Sequence, residues 1–464
     1  MMDWSPPGAL PSQVLNPGVF RFCPGTDCLI QIVELYQDPK GIVQRVKKSF
    51  VCEQDYSTWV KSHEPLEKSN GSPSFTLVMH RRLPGEDMRA TDLPYKEDTF
   101  QSTHKSLYQH KSLSLLLGRI STSVFNYRSV DGPSEITRGQ ALVYNCKSDD
   151  TSPTTDDDFA LSITYFSGQP MIFAVAYGCT SDTMRYIVRT LKEAQSSAFH
   201  PLVLPLMFVE LERKRFLNAV DRKGADLRQR VLDIENRLSR EGARKSEQSE
   251  KFDESRSLTE KDCEATKLWG SVSSLKNALE SLNAQIHAMT RHCELLTQDT
   301  FAAEKGCPDV FKNIREFGIR IGSRLDEMSR EIDSKVRDCE GLLGGMSLAT
   351  SMERNYHSRR DARATIIIAV ASKKDSSQMR YISYLGMIFL PGTFLATLFS
   401  MTFFNWTSDE SNQVISPWVA VYFATAIVFT GITVWRFKKW CREADQDAED
   451  YIYKELDSEP GSKV

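Results

Sequence analysis

Residues 381–404 of this 464-residue chain form a long apolar stretch, YISYLGMIFLPGTFLATLFSMTFF. It contains no Asp, Glu, Lys or Arg, and neither does a second apolar stretch at residues 416–435. A helix needs about 20 apolar residues to cross roughly 30 Å of hydrocarbon. The two stretches therefore predict an integral membrane protein with two spans, which are joined by a short loop at residues 405–415.

Basic residues flank both stretches and predict the orientation in the membrane. Lys and Arg occur shortly before residue 381 and directly after residue 435, whereas the loop has none. The positive-inside rule then places both termini in the cytoplasm and the loop outside. The loop carries Asp409 and Glu410, which would either attract cations at an outer mouth or simply be solvated. The N-terminal sequence shows no signal peptide and no Arg-rich presequence, which favours the plasma membrane over the mitochondrion.

The chain before the apolar stretches changes its periodicity once. Its first part contains short apolar runs bounded by turn residues, which predict strands at 28–35, 75–79, 159–166 and 171–177, the last two joined by a turn at 167–170. From residue 183 onward, apolar residues recur at steps of three and four, as in Leu275, Leu279, Leu282 and Ile286. This spacing predicts long helices with coiled-coil-like packing, within or between chains.

The predicted fold is an α+β membrane protein. Gly344-Gly345 interrupts the helical pattern, and one continuous helix is then predicted from about residue 351 to residue 404. Its parts are an N-terminal cytoplasmic α/β domain (1–182), a coiled-coil-like helical region (183–350) with a charged linker (241–262), a stalk helix (351–380), a first span (381–404), an external loop (405–415), a second span (416–435) and a cytoplasmic tail (436–464).

A stripe of mostly small or hydroxylic residues follows one face of the first span. It consists of Gly386, Leu390, Thr393, Thr397 and Ser400, at steps of four, three, four and three. Small residues let helix backbones approach closely, so one interpretation is helix packing. The other is a pore wall, in which hydroxyls from several copies contact a hydrated ion. Periodicity alone favours packing.

The motifs of this segment resemble those of a known family. FLPGTF at 389–394, LFSMTFF at 398–404 and the upstream DSSQM at 375–379 look like the CorA-like magnesium and divalent-cation transporters, and most like their fungal membrane-protein branch. The resemblance covers roughly residues 355–435. It implies a homopentamer whose first spans line the pore and whose second spans face lipid. The pore positions that it carries over are Met379, Ile382, Gly386, Leu390, Thr393, Thr397, Ser400 and Thr402.

The chain departs from the family at the filter tripeptide. Where the family has Gly-Met-Asn, this sequence has Ser400-Met401-Thr402. Mg²⁺ gives up its waters reluctantly, and a Thr hydroxyl is a shorter contact than an Asn amide. We therefore expect altered or lost magnesium selectivity. The alternative function is a non-conducting, membrane-anchored coiled-coil scaffold or sensor that keeps the fold.

Composition and motifs argue against other classes of function. A net charge of −3 gives no bulk attraction to nucleic acid. No phosphate loop, nucleophile elbow or metalloprotease motif occurs, so we do not expect an enzyme. The eight histidines show no ligand spacing, and the acidic run 149–158 is open to two interpretations, a solvated loop or a weak divalent-ion site. The expected partners are lipid, further copies of the chain and a transported or regulatory divalent cation such as Mg²⁺, with no resident cofactor.

Overall fold

A computed structural model gives the structure of the protein in two compact units, Met1–Glu353 and Arg354–Val464. The residues that it describes are 17–25, 29–38, 41–62, 73–83, 89–132, 140–151, 158–166, 171–243, 254–297, 308–400 and 420–439.

The first unit is built on a seven-stranded sheet with the order β3-β2-β4-β9-β8-β7-β6. Strands β4 and β9 are parallel neighbours, and every other pair in this sheet is antiparallel. A short parallel pair, β1 and β5, lies apart from it. The strands are β1 (Arg21–Phe22), β2 (Ile30–Gln37), β3 (Val43–Phe50), β4 (Ser74–Arg81), β5 (Asp92–Leu93), β6 (Val124–Asp131), β7 (Gln140–Lys147), β8 (Ala160–Phe166) and β9 (Met171–Cys179).

Helices cover both faces of the sheet. Three short helices lie on one face, and α4 with the long helices lies on the other. The helices are α1 (Glu53–Ser62), α2 (Glu97–Ser106), α3 (Ser112–Leu117), α4 (Ser181–Ala194), α5 (Val203–Ala243), α6 (Glu254–Thr297), α7 (Pro308–Phe399) and, in the second unit, α8 (Ala420–Lys439).

Burial on both faces explains the composition of the central strands. Along β8, Leu161 and Ile163 pack with the long helices, whereas Ala160 and Phe166 pack with the short ones. Strands β8 and β9 are buried at every position, so they read as continuous apolar runs rather than alternating ones. The four strands predicted from the sequence correspond to β2, β4, β8 and β9, and the predicted turn at 167–170 lies outside the described residues.

The long helices differ from the sequence prediction at two places. The predicted linker 241–262 is helical where the structure describes it, because α5 runs to Ala243 and α6 begins at Glu254; residues 244–253 lie outside the described residues. The predicted break at Gly344-Gly345 is wrong, since α7 is continuous through both glycines. A Cβ added at Gly345 would lie 3.3 Å from Leu227 Cδ2 of α5, and the neighbouring Met346 is buried. Close packing against α5 thus offsets the cost of about 1 kcal/mol for a glycine within a helix.

Candidate functional site

The second unit contains the two apolar segments that the sequence singles out. Helix α8 is long and apolar enough to cross a membrane, with a mean hydropathy of 1.5, and it is the one such helix among the described residues. The described apolar part of the predicted first span, Ile382–Leu398, is shorter. Two membrane spans therefore remain a prediction, because residues 401–404 and 416–419 lie outside the described ranges.

Helix α8 packs on one defined face of the apolar part of α7. The Tyr422 hydroxyl donates a hydrogen bond to the Gly392 carbonyl oxygen at 3.2 Å. The rings of Tyr384 and Phe437 meet edge to face, with 5.5 Å between their centroids. Leu395 is only 9% exposed, in contrast to its neighbours. Among the described residues, the contacts between the two helices thus include a tyrosine hydroxyl on a backbone carbonyl and an edge-to-face pair of aromatic rings.

The predicted pore positions lie on the other side of α7. Met379 and Ile382 are each 72% exposed in the single chain and Leu390 is 70% exposed, although all three are apolar. Gly386, Thr393, Thr397 and Ser400 are exposed as well. At about 100° per residue, these positions centre roughly half a turn away from the face that holds Tyr384 and Leu395.

The hydroxyl groups of this stripe are held by their own helix. Thr393 Oγ1 lies 3.0 Å from the carbonyl oxygens of both Phe389 and Leu390, and Thr397 Oγ1 donates to Phe394 at 2.8 Å. A hydroxyl that donates its proton to the helix keeps its oxygen lone pairs free to accept. Each Thr side chain is therefore oriented to present an acceptor to a water of hydration.

Proline adds a further acceptor within the same segment. Pro391 lies inside α7 and has no backbone N–H, so the carbonyl of Met387 lacks its usual partner one turn later. Membrane helices tolerate such a carbonyl where a neighbouring helix or water satisfies it. Helix α7 ends at Phe399, and the Ser400 amide donates to Ala396 at 3.0 Å. Met401, Thr402, Asp409 and Glu410 lie outside the described residues.

Several histidines of the first unit are buried in its core. His80 stacks on Tyr177 at 5.2 Å and shares a 2.9 Å hydrogen bond with the Tyr95 hydroxyl, and His292 bonds the Tyr144 hydroxyl at 3.0 Å. Burial lowers the pKa of His80 and of His200 to about 3, so both rings are neutral near pH 7. Within the described ranges no group of three His, Cys, Asp or Glu is placed to hold a metal ion.

The described part of the acidic run 149–158 is also structural. Asp150 pairs with Lys147 at 2.8 Å and accepts the Ser121 amide, and Asp158 pairs with Arg82 and accepts the Ala90 amide. These carboxylates tie the loop to the sheet. At the two ends of the run these carboxylates are thus engaged by ion pairs and backbone amides, whereas residues 152–157 lie outside the described residues.

Sequence reasoning missed a buried carboxylate on α5. Glu212 accepts hydrogen bonds from Ser123 Oγ at 2.9 Å and Ser148 Oγ at 2.7 Å, and it pairs with Arg215 at 2.9 Å. These contacts fix α5 to the ends of β6 and β7. The available signal was a charged residue on the apolar face of a helix, between the buried Val209 and Phe216.

Among known proteins, the chain is similar to solved structures. No family model matches the chain, and no curated protein matches it. Among solved structures the chain is similar to the ZntB cytoplasmic domain from Vibrio parahaemolyticus RIMD 2210633, with a TM-score of 0.32 and 11% sequence identity. The match covers 70% of this chain and 98% of that one.

Proposed function

We propose that this protein is a subunit of a CorA-like membrane channel or transporter for divalent cations, assembled as a homopentamer. Five copies of the first span would line the pore, and α8 would face lipid. Both termini would lie in the cytoplasm and the loop at 405–415 outside, in the plasma membrane. The transported ion would be Mg²⁺ or a related divalent cation, and the protein would hold no resident cofactor and carry out no enzymatic reaction.

The observation that supports the proposal best is the position of α8. If the stripe of small and hydroxylic residues served packing between the two helices of one chain, α8 would cover it. Instead α8 contacts the face of Tyr384 and Leu395, and the stripe stays exposed. A helix with an apolar support on one side and hydroxyls on the other suits a pore wall built from several copies.

The chemistry of the stripe suits a hydrated ion. Rings of Thr393 and Thr397 would offer oxygen acceptors to the waters around the cation, so the ion would not have to shed them. Met379 and Ile382 would form an apolar constriction at the cytoplasmic end, where loss of water can close the pore. Ser400, Met401 and Thr402 would form the filter, with Asp409 and Glu410 attracting cations to its mouth.

Cysteine accessibility in the reconstituted full-length protein tests the pore face. Thr397→Cys is compared with the matched control Leu395→Cys, which lies two residues away on the face toward α8. A cationic thiol reagent should block divalent-ion uptake into liposomes through Thr397→Cys and leave Leu395→Cys unchanged. The unsubstituted protein reports any effect on its native cysteines. Equal block of both variants, or block of neither, would count against the proposed pore face.

Restoration of the family tripeptide tests the filter. The double variant Ser400→Gly and Thr402→Asn should raise uptake of Mg²⁺ relative to Co²⁺ or Ni²⁺, because an amide offers a longer reach and both a donor and an acceptor. An unchanged ion preference would show that these positions do not set selectivity.

One observation favours the second candidate, a non-conducting scaffold or sensor. The altered tripeptide Ser400-Met401-Thr402 removes the amide that the family pattern places there. A pentamer by native mass spectrometry that passes no divalent cation, before or after restoration of the tripeptide, would support this function and overturn the channel.

A further inference from the structure

A basic cavity lies between the edge of the sheet and α4 in the first unit, far in sequence from the predicted pore. Its volume is about 410 Å³, within the range of about 300–1,000 Å³ that is typical of small-molecule sites. The residues that line it are Leu29, Gln31, Arg45, Lys47, Ser181, Met184, Arg185, Val188, Arg189 and Lys192. Five of these are cations, and none is an acid.

The two sides of the cavity contribute cations from different elements. Arg45 and Lys47 are two residues apart on β3, opposite Leu35 and Val33 of β2, and therefore face the same side of the sheet as α4. On α4, Arg185, Arg189 and Lys192 share one helical face, whereas Met184, Ile187 and Leu191 are buried. The fold thus brings two basic rows together.

Two of the five cations have acidic partners outside the cavity. Arg185 pairs with Asp182, and Arg189 pairs with Glu193 at 2.9 Å, in both cases along α4. Arg45, Lys47 and Lys192 have no acidic partner among the residues that the structure describes. Like charges at such spacings repel each other and are unfavourable for both strand and helix. A bound anion would relieve that repulsion.

The floor of the cavity has a different character. Leu29, Met184 and Val188 are apolar, and Gln31 adds an amide. Charged residues on an edge strand such as β3 can serve simply to prevent its pairing with the edge of another sheet. That role would not explain the second row of cations on α4 or the apolar floor of the cavity. The combination suits a ligand with a multiply charged anionic end and a flat, weakly polar end.

We propose that this cavity binds a nucleoside polyphosphate, with its phosphates between the β3 and α4 cations and its base on the apolar floor. Arg guanidinium and Lys ammonium groups are the usual partners of phosphate oxygens. The site regulates or stabilises the first unit from outside the pore. It stands independently of the proposed transport function, since the residues of the two sites do not overlap.

Binding to the purified full-length protein tests the site. The probes are ATP, inorganic triphosphate and adenosine, each measured by isothermal titration calorimetry in Mg²⁺-free buffer. ATP should bind more tightly than either fragment, and its affinity should fall as salt rises from about 0.05 M to about 0.3 M. Equal binding of ATP and inorganic triphosphate would show that the base and ribose make no contribution, and would overturn the assignment of a nucleoside. If neither compound binds, the site itself is overturned.

Charge-neutralising variants locate the binding. The pair Arg45→Gln and Lys192→Gln removes two charges but keeps polar side chains, and it should weaken ATP binding about tenfold or more, since charge-assisted contacts to phosphate are lost. The control is Lys61→Gln, an exposed lysine in the last turn of α1, on the opposite face of the sheet. Affinity that is unchanged in the double variant, or equally reduced in the control, would overturn the assignment. The circular dichroism spectrum of each variant shows that it is folded.

Discussion

The two units of this protein differ in how far their large apolar side chains are exposed to solvent. In the first unit, the sheet is covered on both faces, and residues such as Leu279 and Phe216 are fully buried within one chain. In the second unit, large apolar residues such as Ile382, Leu390 and Phe423 are mostly exposed. A large exposed apolar surface marks a membrane or protein interface. The first unit therefore buries its core within one chain, whereas the second exposes the kind of apolar surface that lipid or further copies of a chain can cover.

Two glycines, one in each unit, should differ most in their response to substitution. Gly178 has a φ of +73°, and an added Cβ would lie 2.6 Å from the Asp158 carbonyl oxygen, whereas Gly386 has nothing within 4 Å. Gly178→Val should destabilise the protein by more than about 4 kcal/mol, because it combines backbone strain with a clash. Gly386→Val should change stability by about 0.5 kcal/mol or less.

Urea unfolding in detergent, followed by circular dichroism, measures both glycine variants. Gly386→Val should still alter ion uptake, because it changes the exposed face of α7. If Gly386→Val unfolds the protein as strongly as Gly178→Val does, the second unit has a packed interior of its own and the contrast between the units fails.

Acid should act on the first unit through its buried histidines. The pKa values of His80 and His200 are about 3 when folded, below the ordinary value of 6.5, so the unfolded state binds more protons between these limits. Their stabilising contribution is complete above about pH 6.5 and is lost as the pH falls. From pH 6.5 to 5.0 the loss should be about 3 kcal/mol for the two histidines together, or roughly half of that for each.

Urea titrations at several pH values check this loss. His80→Gln should flatten the pH dependence near pH 6, because one of the two rings that gain a proton on unfolding is then absent. A stability that is constant between pH 6.5 and 5.0 would contradict the neutral, buried state of these rings.

Two leucines test burial directly. Leu279 of α6 is fully buried, and Leu390 of α7 is 70% exposed. Leu279→Ala should cost about 3 kcal/mol through the lost transfer energy and the cavity, whereas Leu390→Ala should cost about 0.5 kcal/mol or less in the same urea titration. If five copies of α7 line a pore as proposed, Leu390→Ala should also raise basal ion leak. A similar loss of stability in both variants would show that Leu390 is covered in the purified protein.

The buried carboxylate of Glu212 and the exposed carboxylate of Glu193 should differ in their contribution to stability. Glu212→Gln removes a charge that two hydroxyls and Arg215 contact, and should destabilise by about 2 kcal/mol, because these groups stay buried with a poorer partner. The control Glu193→Gln removes an exposed ion pair with Arg189 and should cost about 0.5 kcal/mol or less. A shift of the thermal midpoint in Glu212→Gln alone is the expected result.

Strands with a clear apolar pattern could be predicted from the sequence, and strands with tertiary polar partners could not. The runs in β4, β8 and β9 are nearly all apolar and end at turn residues. In β7, the polar residues Asn145 and Lys147 interrupt the apolar pattern, so the sequence does not predict a buried strand there. Their partners, Ser112 and Ser162 for the amide and Asp150 for the ammonium, are not visible in the local sequence. The charged β3 and the half-exposed β6 carried equally weak signals.

The candidate site divides in the same way. The stripe on α7 follows from spacing alone, because the helical period fixes which residues share a face. The side of α7 that α8 occupies does not follow from spacing. Small residues pointed to helix contact on the stripe, and the structure shows that Tyr384, Leu395 and Tyr422 make that contact instead. Shape complementarity between aromatic rings decides such a contact, and a single sequence does not encode it in a recognisable pattern.

The parallel pairing of β4 with β9 has a consequence for how the chain reaches this structure. Strands β2 to β4 form one antiparallel group in the order β3-β2-β4, and β6 to β9 form a meander, each closed by neighbouring segments. The two groups meet only where β4 pairs with β9, beginning with Ser74 opposite Met171, which is roughly a hundred residues later in the chain. On the ribosome, the first group must therefore wait with one edge open until the last strand has emerged. That interval is when a nascent chain is most in need of a chaperone.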